Sequence, residues 1–144
     1  MTSFDRDAIA RACEQLLYRA ALFTDRARWD ELAALFAPNG KLVRPSDPTQ
    51  PISGREAILA SLRGRPARTT RHVLSNIRVD IHSPNSAHIS SNVTLYTGLA
   101  ADKGPVAGQK ILVGNFEDDV VLVEGDWRFL LRDGSMALEF EVRP

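Results

Sequence analysis

The stretch that decides the fold runs from residue 70 to residue 97: TRHVLSNIRVDIHSPNSAHISSNVTLYT. Apolar and polar side chains alternate with a period of two on both sides of the turn residues SPNS, which is typical of an antiparallel β-hairpin. If the turn pairs His82 with Ala87, one face carries His72, Leu74, Ser91, Val93, Leu95 and Thr97. The other face carries Val73, Ile77, Val79 and Ile81. One β-bulge would invert part of this assignment.

Helices precede this hairpin and further strands follow it. Apolar residues recur at spacings of three and four over 9–23 and again over 29–36, which predicts two amphipathic helices. The sequence SGRE, 53–56, predicts a capping box that opens a third helix. Residues 110–123 and 127–142 are long strand candidates. The order predicts an α+β fold, with helices packed on one face of a curved antiparallel sheet, and a single domain over 1–144.

The first half of the chain also contains breaker residues. Pro38 and Gly40 are expected to end the second helix, and KLVRP, 41–45, is a short strand candidate. The proline-rich sequence SDPTQPIS, 46–53, is predicted to be a loop.

Composition bounds the possible partners. The 144 residues contain 18 basic and 18 acidic side chains, so no overall field draws the chain to nucleic acid or to an anionic membrane. The one cysteine, Cys13, excludes an intramolecular disulfide and fits a reducing cytoplasm. The charged N-terminus lacks the apolar core of a signal peptide, and no stretch has the roughly 20 apolar residues that span a bilayer. These features predict a small cytoplasmic protein with neither kind of partner.

Motifs for metals and cofactors are absent. His72 and His82 lie ten residues apart in one strand, about 33 Å at 3.3 Å per residue, so the three histidines do not form one metal site. The sequence has no GxGxxG, P-loop, CxxC or HExxH. The four arginines of RGRPARTTR, 63–71, lack interleaved aromatic residues and predict a solvated turn. Asp119 and Arg132 are expected to form a surface ion pair of little energetic weight.

Two residues, His72 and Asp25, are candidates for a catalytic role. His72 lies at the end of an apolar surface, either as a core imidazole hydrogen-bonded to the backbone or as a general base tuned by a neighbouring carboxylate. Asp25 follows the first helix, either as the N-cap of a helix starting near residue 27 or as that carboxylate. The residue pattern leaves both alternatives open.

Four stretches together carry a family resemblance: TDRARWDELAALFAPNG (24–40), SGREAI (53–58), RHVLSNIRVDI (71–81) and GNFEDDVVLVEGDWRFLLR (114–132). In this order and spacing, the chain from about residue 5 to 138 resembles the SnoaL-like branch of the nuclear transport factor 2-like superfamily. The resemblance implies a cone, in which a strongly bent, mostly antiparallel sheet wraps around helices and leaves an apolar cavity. It also implies that Asp25 holds His72, because both match positions of the dehydratase-like members, where that histidine removes a proton.

The sequence departs from the family pattern at three positions. Ala20 stands where such dehydratases often carry a tyrosine acid, and Tyr18 lies two residues earlier. Pro45 occupies the place of the acidic base of ketosteroid isomerases, and Ser91 corresponds roughly to a second histidine of some dehydratases. The general acid is therefore not identified.

The resemblance implies a cofactor-independent lyase, dehydratase-like or cyclase-like, that acts on a small apolar cyclic molecule with Asp25 and His72 as the catalytic pair. We expect the substrate to contact Tyr18, Trp29, Leu74, Ser91, Val93, Leu95 and Phe116. The alternative is a non-catalytic ligand-binding or assembly protein similar to the small subunits of ring-hydroxylating dioxygenases. A homodimer or homotrimer is expected, because the outer side of the sheet is apolar. A separation of about 3.2 Å or less between His72 and Asp25 in a closed cavity would favour the enzyme. A His72 that faces solvent or is buried in a subunit contact would favour the assembly protein.

Overall fold

Two helices, two strands, a third helix and four further strands follow one another along residues 4–143. The structure, a computed structural model, describes residues 4–143. The helices are α1 (Arg6–Asp25), α2 (Trp29–Ala34) and α3 (Arg55–Arg63). The strands are β1 (Phe36–Arg44), β2 (Asp47–Ser53), β3 (Thr69–Ser83), β4 (Ser86–Gly98), β5 (Gly108–Val123) and β6 (Asp126–Glu141). In these residues no helix has both the length and the apolar character needed to cross a membrane.

The six strands form one curved sheet that does not close, in the order β2-β1-β6-β5-β4-β3. Neighbouring strands are antiparallel except β1 and β6, which are parallel. Helix α1 packs on β3 and β6, while α3 packs on β1 and β2. We call the sheet face that the helices cover the inner face. This arrangement confirms the predicted α+β cone.

The core lies between the helices and the inner face. Helix α1 buries Cys13, Leu16, Leu17 and Ala20, which are spaced as the sequence periodicity requires. The sheet contributes Phe36 and Phe129, whose ring centroids lie 5.2 Å apart, and the fully buried Ile89. The core extends to the end of the cone at which the β3–β4 turn lies. Ala87, next to that turn, and its partner Val120 on β5 both belong to the cluster of buried core residues.

The predicted register of the β3–β4 hairpin is right only next to the turn, where Ser83 pairs with Ser86. A bulge at Asn76, which adopts a φ of 51°, and a second shift near the turn move the pairing, so that His72 faces Leu95. The two shifts together amount to two residues, so His72 keeps its predicted face. Between them the faces are exchanged: Ile77 and Val79 pack against the core, and Ile81 lies opposite the buried Ala87. The predicted outward orientation of these three residues was wrong.

The predictions for residues 36–54 were wrong in three respects. Helix α2 ends at Ala34 and β1 begins at Phe36, so Pro38 lies within a strand. The predicted loop is the edge strand β2, where proline is tolerated because one side of an edge strand needs no N–H donor. The capping box is absent, since Ser53 ends β2 and Gly54 is the N-cap of α3. Gly54 has a φ of 92°, a conformation that favours glycine.

The outer face of the sheet carries an exposed apolar group at the end opposite to the β3–β4 turn. Tyr96 pairs with Ile111, which pairs with Phe140, and Val73 lies on the same face of the edge strand β3. Val73, Tyr96 and Phe140 are each about half exposed. We call these four residues the outer patch; it replaces the apolar outer side that the sequence register had placed farther along β3.

We predict that the protein self-associates through the outer patch, because a monomer would leave contiguous apolar surface in water. Light scattering should give a mass two or three times the 15.9 kDa of one chain. Phe140→Glu should return the mass to that of a monomer. Leu99→Glu, at an equally exposed loop leucine, is the control that should not. A monomeric wild type would contradict the prediction.

Candidate active site

Helix α1 ends in a way that directs Asp25 towards the sheet. The Arg28 N–H donates to the Phe23 carbonyl at 2.8 Å and the Ala27 N–H to the Thr24 carbonyl at 3.1 Å, with Ala27 at a φ of 53°. This is the Schellman arrangement, formed here without its usual glycine. Asp25 is therefore the last residue of α1, and Arg28, not Asp25, is the N-cap of α2.

The Asp25 carboxylate accepts three hydrogen bonds from strand β3. Oδ1 accepts from the Thr70 hydroxyl at 2.9 Å and lies 2.5 Å from His72 Nδ1, while Oδ2 accepts from the His72 backbone N–H at 3.0 Å. Thr70 and His72 alternate along β3, so both point to the inner face. The side chains of Asp25 and His72 are only 11% and 13% exposed. The Asp25–His72 contact of 2.5 Å is shorter than the separation of about 3.2 Å expected of a catalytic pair.

The protonation of this pair follows from its hydrogen bonds. Burial alone would raise the pKa of Asp25, but the hydrogen bonds from the His72 ring, the His72 backbone and Thr70 outweigh it and hold the pKa below its ordinary value. An ionised carboxylate only accepts, so His72 Nδ1 carries the proton and donates. Nε2 makes no hydrogen bond to any residue between 4 and 143, which leaves its lone pair free in the neutral ring.

A cavity of about 780 Å³ opens beside this pair. Its wall includes His72, Leu74, Leu95 and Phe116, four of the residues proposed from the sequence. Helix α1 contributes Ala20 and Thr24, so the position at which the family resemblance would place a tyrosine faces the cavity but holds only a methyl group. A cavity of this size accommodates a small organic molecule.

Four other proposed contact residues do not line the cavity. Tyr18 lies on the solvent side of α1 and is 45% exposed, because α1 turns its Leu17 and Ala20 inward. Trp29 packs against the core beneath the Arg65 guanidinium, which lies 5.8 Å from the ring centroid. Ser91 and Val93 alternate on the inner face of β4 but are almost fully covered, at 3% and 1% exposure.

Four arginines line the cavity, and the sequence analysis did not assign them to it: Arg44, Arg65, Arg68 and Arg132. Arg65 and Arg68 belong to the stretch interpreted as a solvated turn. The signal in the sequence was the accumulation of arginines, without acids, immediately before the strand that carries His72.

Arg132 is held by aromatic rings and by an acid. Its guanidinium carbon lies 3.7 Å from the Phe116 ring centroid and 4.7 Å from that of Phe129. Its Nε lies 3.4 Å from Oδ1 of Asp118, a residue with no exposed surface. The predicted partner, Asp119, was wrong: Asp118 is the residue opposite Arg132 in the β5–β6 register, and Asp119 points outward to His88.

The Asp118–Arg132 pair is an ion pair without a hydrogen bond among the described residues. Burial raises the pKa of Asp118 to about 7, although the positive charge of Arg132 opposes the rise. Burial likewise lowers the pKa of Arg132, against the attraction of Asp118. The guanidinium of Arg132 at the cavity wall therefore faces a carboxyl group, that of Asp118, whose charge changes with pH.

The other two histidines lie outside the cavity. His88 on the outer face contacts Asp119 through Nδ1 and Glu117 through Nε2, both at 2.7 Å. The Asp119 hydrogen bond raises the pKa of His88, partial burial opposes this, and Glu117 adds to the rise. Because both ring nitrogens are engaged, His88 has no free lone pair for a substrate. His82 is exposed near the hairpin turn.

Within residues 4–143, no three His, Cys, Asp or Glu side chains converge as a set of metal ligands.

The curved open sheet, the helices on its inner face and the cavity at the end of α1 define a nuclear transport factor 2-like protein. The family model of the SnoaL-like domain matches residues 5–133, so the chain belongs to the SnoaL-like domain family. No curated protein matches the sequence.

Solved structures agree with this assignment. A candidate scytalone dehydratase from Novosphingobium aromaticivorans is 29% identical, with a TM-score of 0.78 over 93% of this chain and 87% of that one. A type 2 hexachlorocyclohexane dehydrochlorinase is 17% identical, with a TM-score of 0.81 over 96% and 91%. A candidate aromatic ring hydroxylase from N. aromaticivorans is 14% identical, with a TM-score of 0.78 over 96% of each chain. The last two show the shared fold.

We predict that Asp118 makes the protein less stable as the pH rises. A carboxyl whose pKa is about 3.8 unfolded and about 7 folded stabilises the folded state most below pH 4, and this contribution is lost as the pH rises to about 7. The free energy of unfolding of Asp118→Asn relative to the wild type should therefore increase by roughly 2 to 4 kcal/mol between pH 4 and pH 8.

Urea denaturation at several pH values measures this difference. Asp102→Asn, at an exposed loop position, is the matched control and should show no such increase. A difference for Asp118→Asn that stays constant or decreases with pH would show that Asp118 is ionised in the folded protein over this range.

Proposed function

We propose that this protein is a cofactor-independent lyase in which His72 removes a proton from a small, cyclic, largely apolar molecule held in the cavity. The observation that carries the proposal is the 2.5 Å contact between Asp25 and His72 at the wall of that cavity. The contact occupies Nδ1 and leaves Nε2 as the acceptor, which is the arrangement of a general base. Membership in the SnoaL-like family and the 29% identity to a candidate dehydratase support elimination as the reaction type.

The proposed step is an elimination. Nε2 of His72 takes a proton from a substrate carbon, and the electrons of the broken C–H bond form a double bond to the adjacent carbon. The leaving group on that carbon departs with its own bonding pair. The imidazolium that forms stays hydrogen-bonded to the Asp25 carboxylate, which stabilises its charge, and it returns the proton to water when the product leaves.

The wall suggests which leaving groups suit the site. Ala20 supplies no proton, so the reaction favours groups that depart as anions without prior protonation, and next to a carbonyl the C–H bond is acidic enough for an imidazole base. Leu74, Leu95 and Phe116 offer apolar contact to a ring. A cyclic ketone with a leaving group on the β-carbon has these properties.

We predict that His72→Ala lowers the rate of proton abstraction at least 100-fold, the lower end of what a positioned general base contributes. The assay follows a panel of cyclic ketones, with and without β-leaving groups, by proton NMR in D2O. Abstraction shows either as exchange of a C–H for deuterium or as new alkene signals.

His82→Ala is the matched control, because this exposed histidine lies outside the cavity and its loss should leave the rate unchanged. Circular dichroism on both variants verifies folding. Equal rates for the wild type and a folded His72→Ala would remove His72 as the base.

We predict that Asp25→Asn lowers the same rate by roughly 100-fold or more, because an amide does not hold the ring in one tautomer and does not neutralise the imidazolium. Asp25→Glu, which keeps the charge, should retain more activity than Asp25→Asn in the same assay. If Asp25→Asn were as active as the wild type, Asp25 would have no part in orienting the base.

A ligand-binding or assembly protein without turnover is the second candidate function. The lack of an acid at Ala20 and the exposed outer patch favour it. Binding of panel compounds without exchange or elimination would support it over the lyase.

A further inference from the structure

Three guanidinium groups line one part of the cavity wall. Arg44 is the last residue of β1, while Arg65 and Arg68 come from the segment that joins α3 to β3. Arg44 and Arg65 are partly buried and Arg68 is exposed. We call these three residues the arginine cluster. They share the cavity with the His72 ring.

The arginine cluster has no counter-charge in the part of the chain that the structure describes. No carboxylate oxygen of residues 4–143 lies within 4.0 Å of any of the three guanidinium groups. Asp47 is the residue opposite Arg44 in the β1–β2 register but makes no ion pair with it. By contrast, the neighbouring Arg63 pairs with Asp30 at 2.5 Å.

The acids near the cavity are committed elsewhere. Glu139 lines the wall and pairs with Lys110 at 3.6 Å. Asp118 faces Arg132, and Asp25 is held by β3. The arginine cluster therefore lines the cavity without a carboxylate partner among residues 4–143, and Arg65 contacts only the face of the Trp29 ring, which does not neutralise its charge.

The cluster also carries signs of electrostatic cost. Arg44 Nε is buried and has no hydrogen-bond partner among residues 4–143. Burial lowers the pKa of Arg65, and the positive charges of Arg68 and Arg44 lower it further. A protein interior ordinarily pairs such groups. An arrangement that leaves them unpaired destabilises the free protein and favours a bound anion.

We propose that the arginine cluster binds a carboxylate carried by an otherwise apolar, cyclic substrate. The guanidinium fork presents parallel N–H donors that match the two oxygens of a carboxylate. The ring of the same molecule would lie against Leu74, Leu95, Leu112 and Phe116, beside His72. This inference rests on the proposed function only in that the substrate occupies the same cavity; it concerns binding and needs no turnover.

Two probes that share one ring test this proposal: 2-naphthoate, which carries a carboxylate, and 2-naphthylmethanol, which carries a neutral hydroxymethyl group in its place. Both carry the same apolar ring, and a cavity of about 780 Å³ has room for it. Isothermal titration calorimetry or NMR titration at fixed ionic strength gives the dissociation constant of each. The wild type should bind the carboxylate at least tenfold more tightly than the alcohol, since only the carboxylate adds an opposite charge and two oxygens that the guanidinium fork can engage together.

The variant Arg65→Gln should reduce this preference to threefold or less. Arg65→Lys, which keeps the charge but not the fork, should retain an intermediate preference. Arg71→Gln is the matched control, because Arg71 is exposed, lies one residue before His72 and does not line the cavity. It should keep the full preference of the wild type.

Equal affinity of the wild type for the two probes, binding of neither probe, or an unchanged preference in a folded Arg65→Gln would each overturn the proposal. The outcome is separable from that of the proposed function. A preference for the carboxylate without proton abstraction would retain the arginine cluster and remove the lyase. Proton abstraction without a preference for the carboxylate would retain the lyase and remove the arginine cluster as a carboxylate site.

Discussion

The hydrogen bonds that strand β3 donates to the Asp25 carboxylate are the interactions on which the site depends. A carboxylate at the C-terminal end of a helix meets the negative end of the helix dipole, which opposes its charge. Here the Thr70 hydroxyl, the His72 backbone N–H and the His72 ring offset that disadvantage. They also join the end of α1 to strand β3 at the cavity wall. The same contacts therefore position the helix on the sheet and fix the orientation of the imidazole.

The curvature of the sheet leaves a cavity beside the Asp25–His72 contact. Bulges at Asn76 in β3 and within the β5–β6 pair bend long strands that would otherwise lie flat. The core fills the end of the cone near the β3–β4 turn, where Ile89 and Phe129 are buried, and its Ala20 and Leu62 form part of the cavity wall. At the other end, the inner face meets solvent-accessible space instead of side chains, and His72 stands at the wall of that space.

The sequence predicted the fold and the contact between Asp25 and His72 better than it predicted the lining of the cavity. Alternation and helical spacing are local signals, so α1, α3 and the hairpin were predicted, and Asp25 and His72 were proposed through the family resemblance. Pro48 and Pro51 were misinterpreted because an edge strand tolerates proline, a property that depends on the neighbouring strands. The register failed at Asn76 because a bulge leaves no local signature strong enough to locate it. Arg44 and Arg65 could not be assigned to one wall, since their proximity arises only when β1 and the α3–β3 segment meet in space.

The central claim is that Asp25 fixes one tautomer of His72 and leaves Nε2 free. Nitrogen-15 NMR of selectively labelled histidine, recorded where the His72 ring is neutral, measures this directly. The structure predicts a protonated Nδ1, whose proton exchanges slowly because it is hydrogen-bonded to Asp25, and an unprotonated Nε2. In Asp25→Asn, both tautomers should be present. A neutral ring with its proton on Nε2 in the wild type would contradict the account, because that nitrogen would then have no lone pair with which to take a proton.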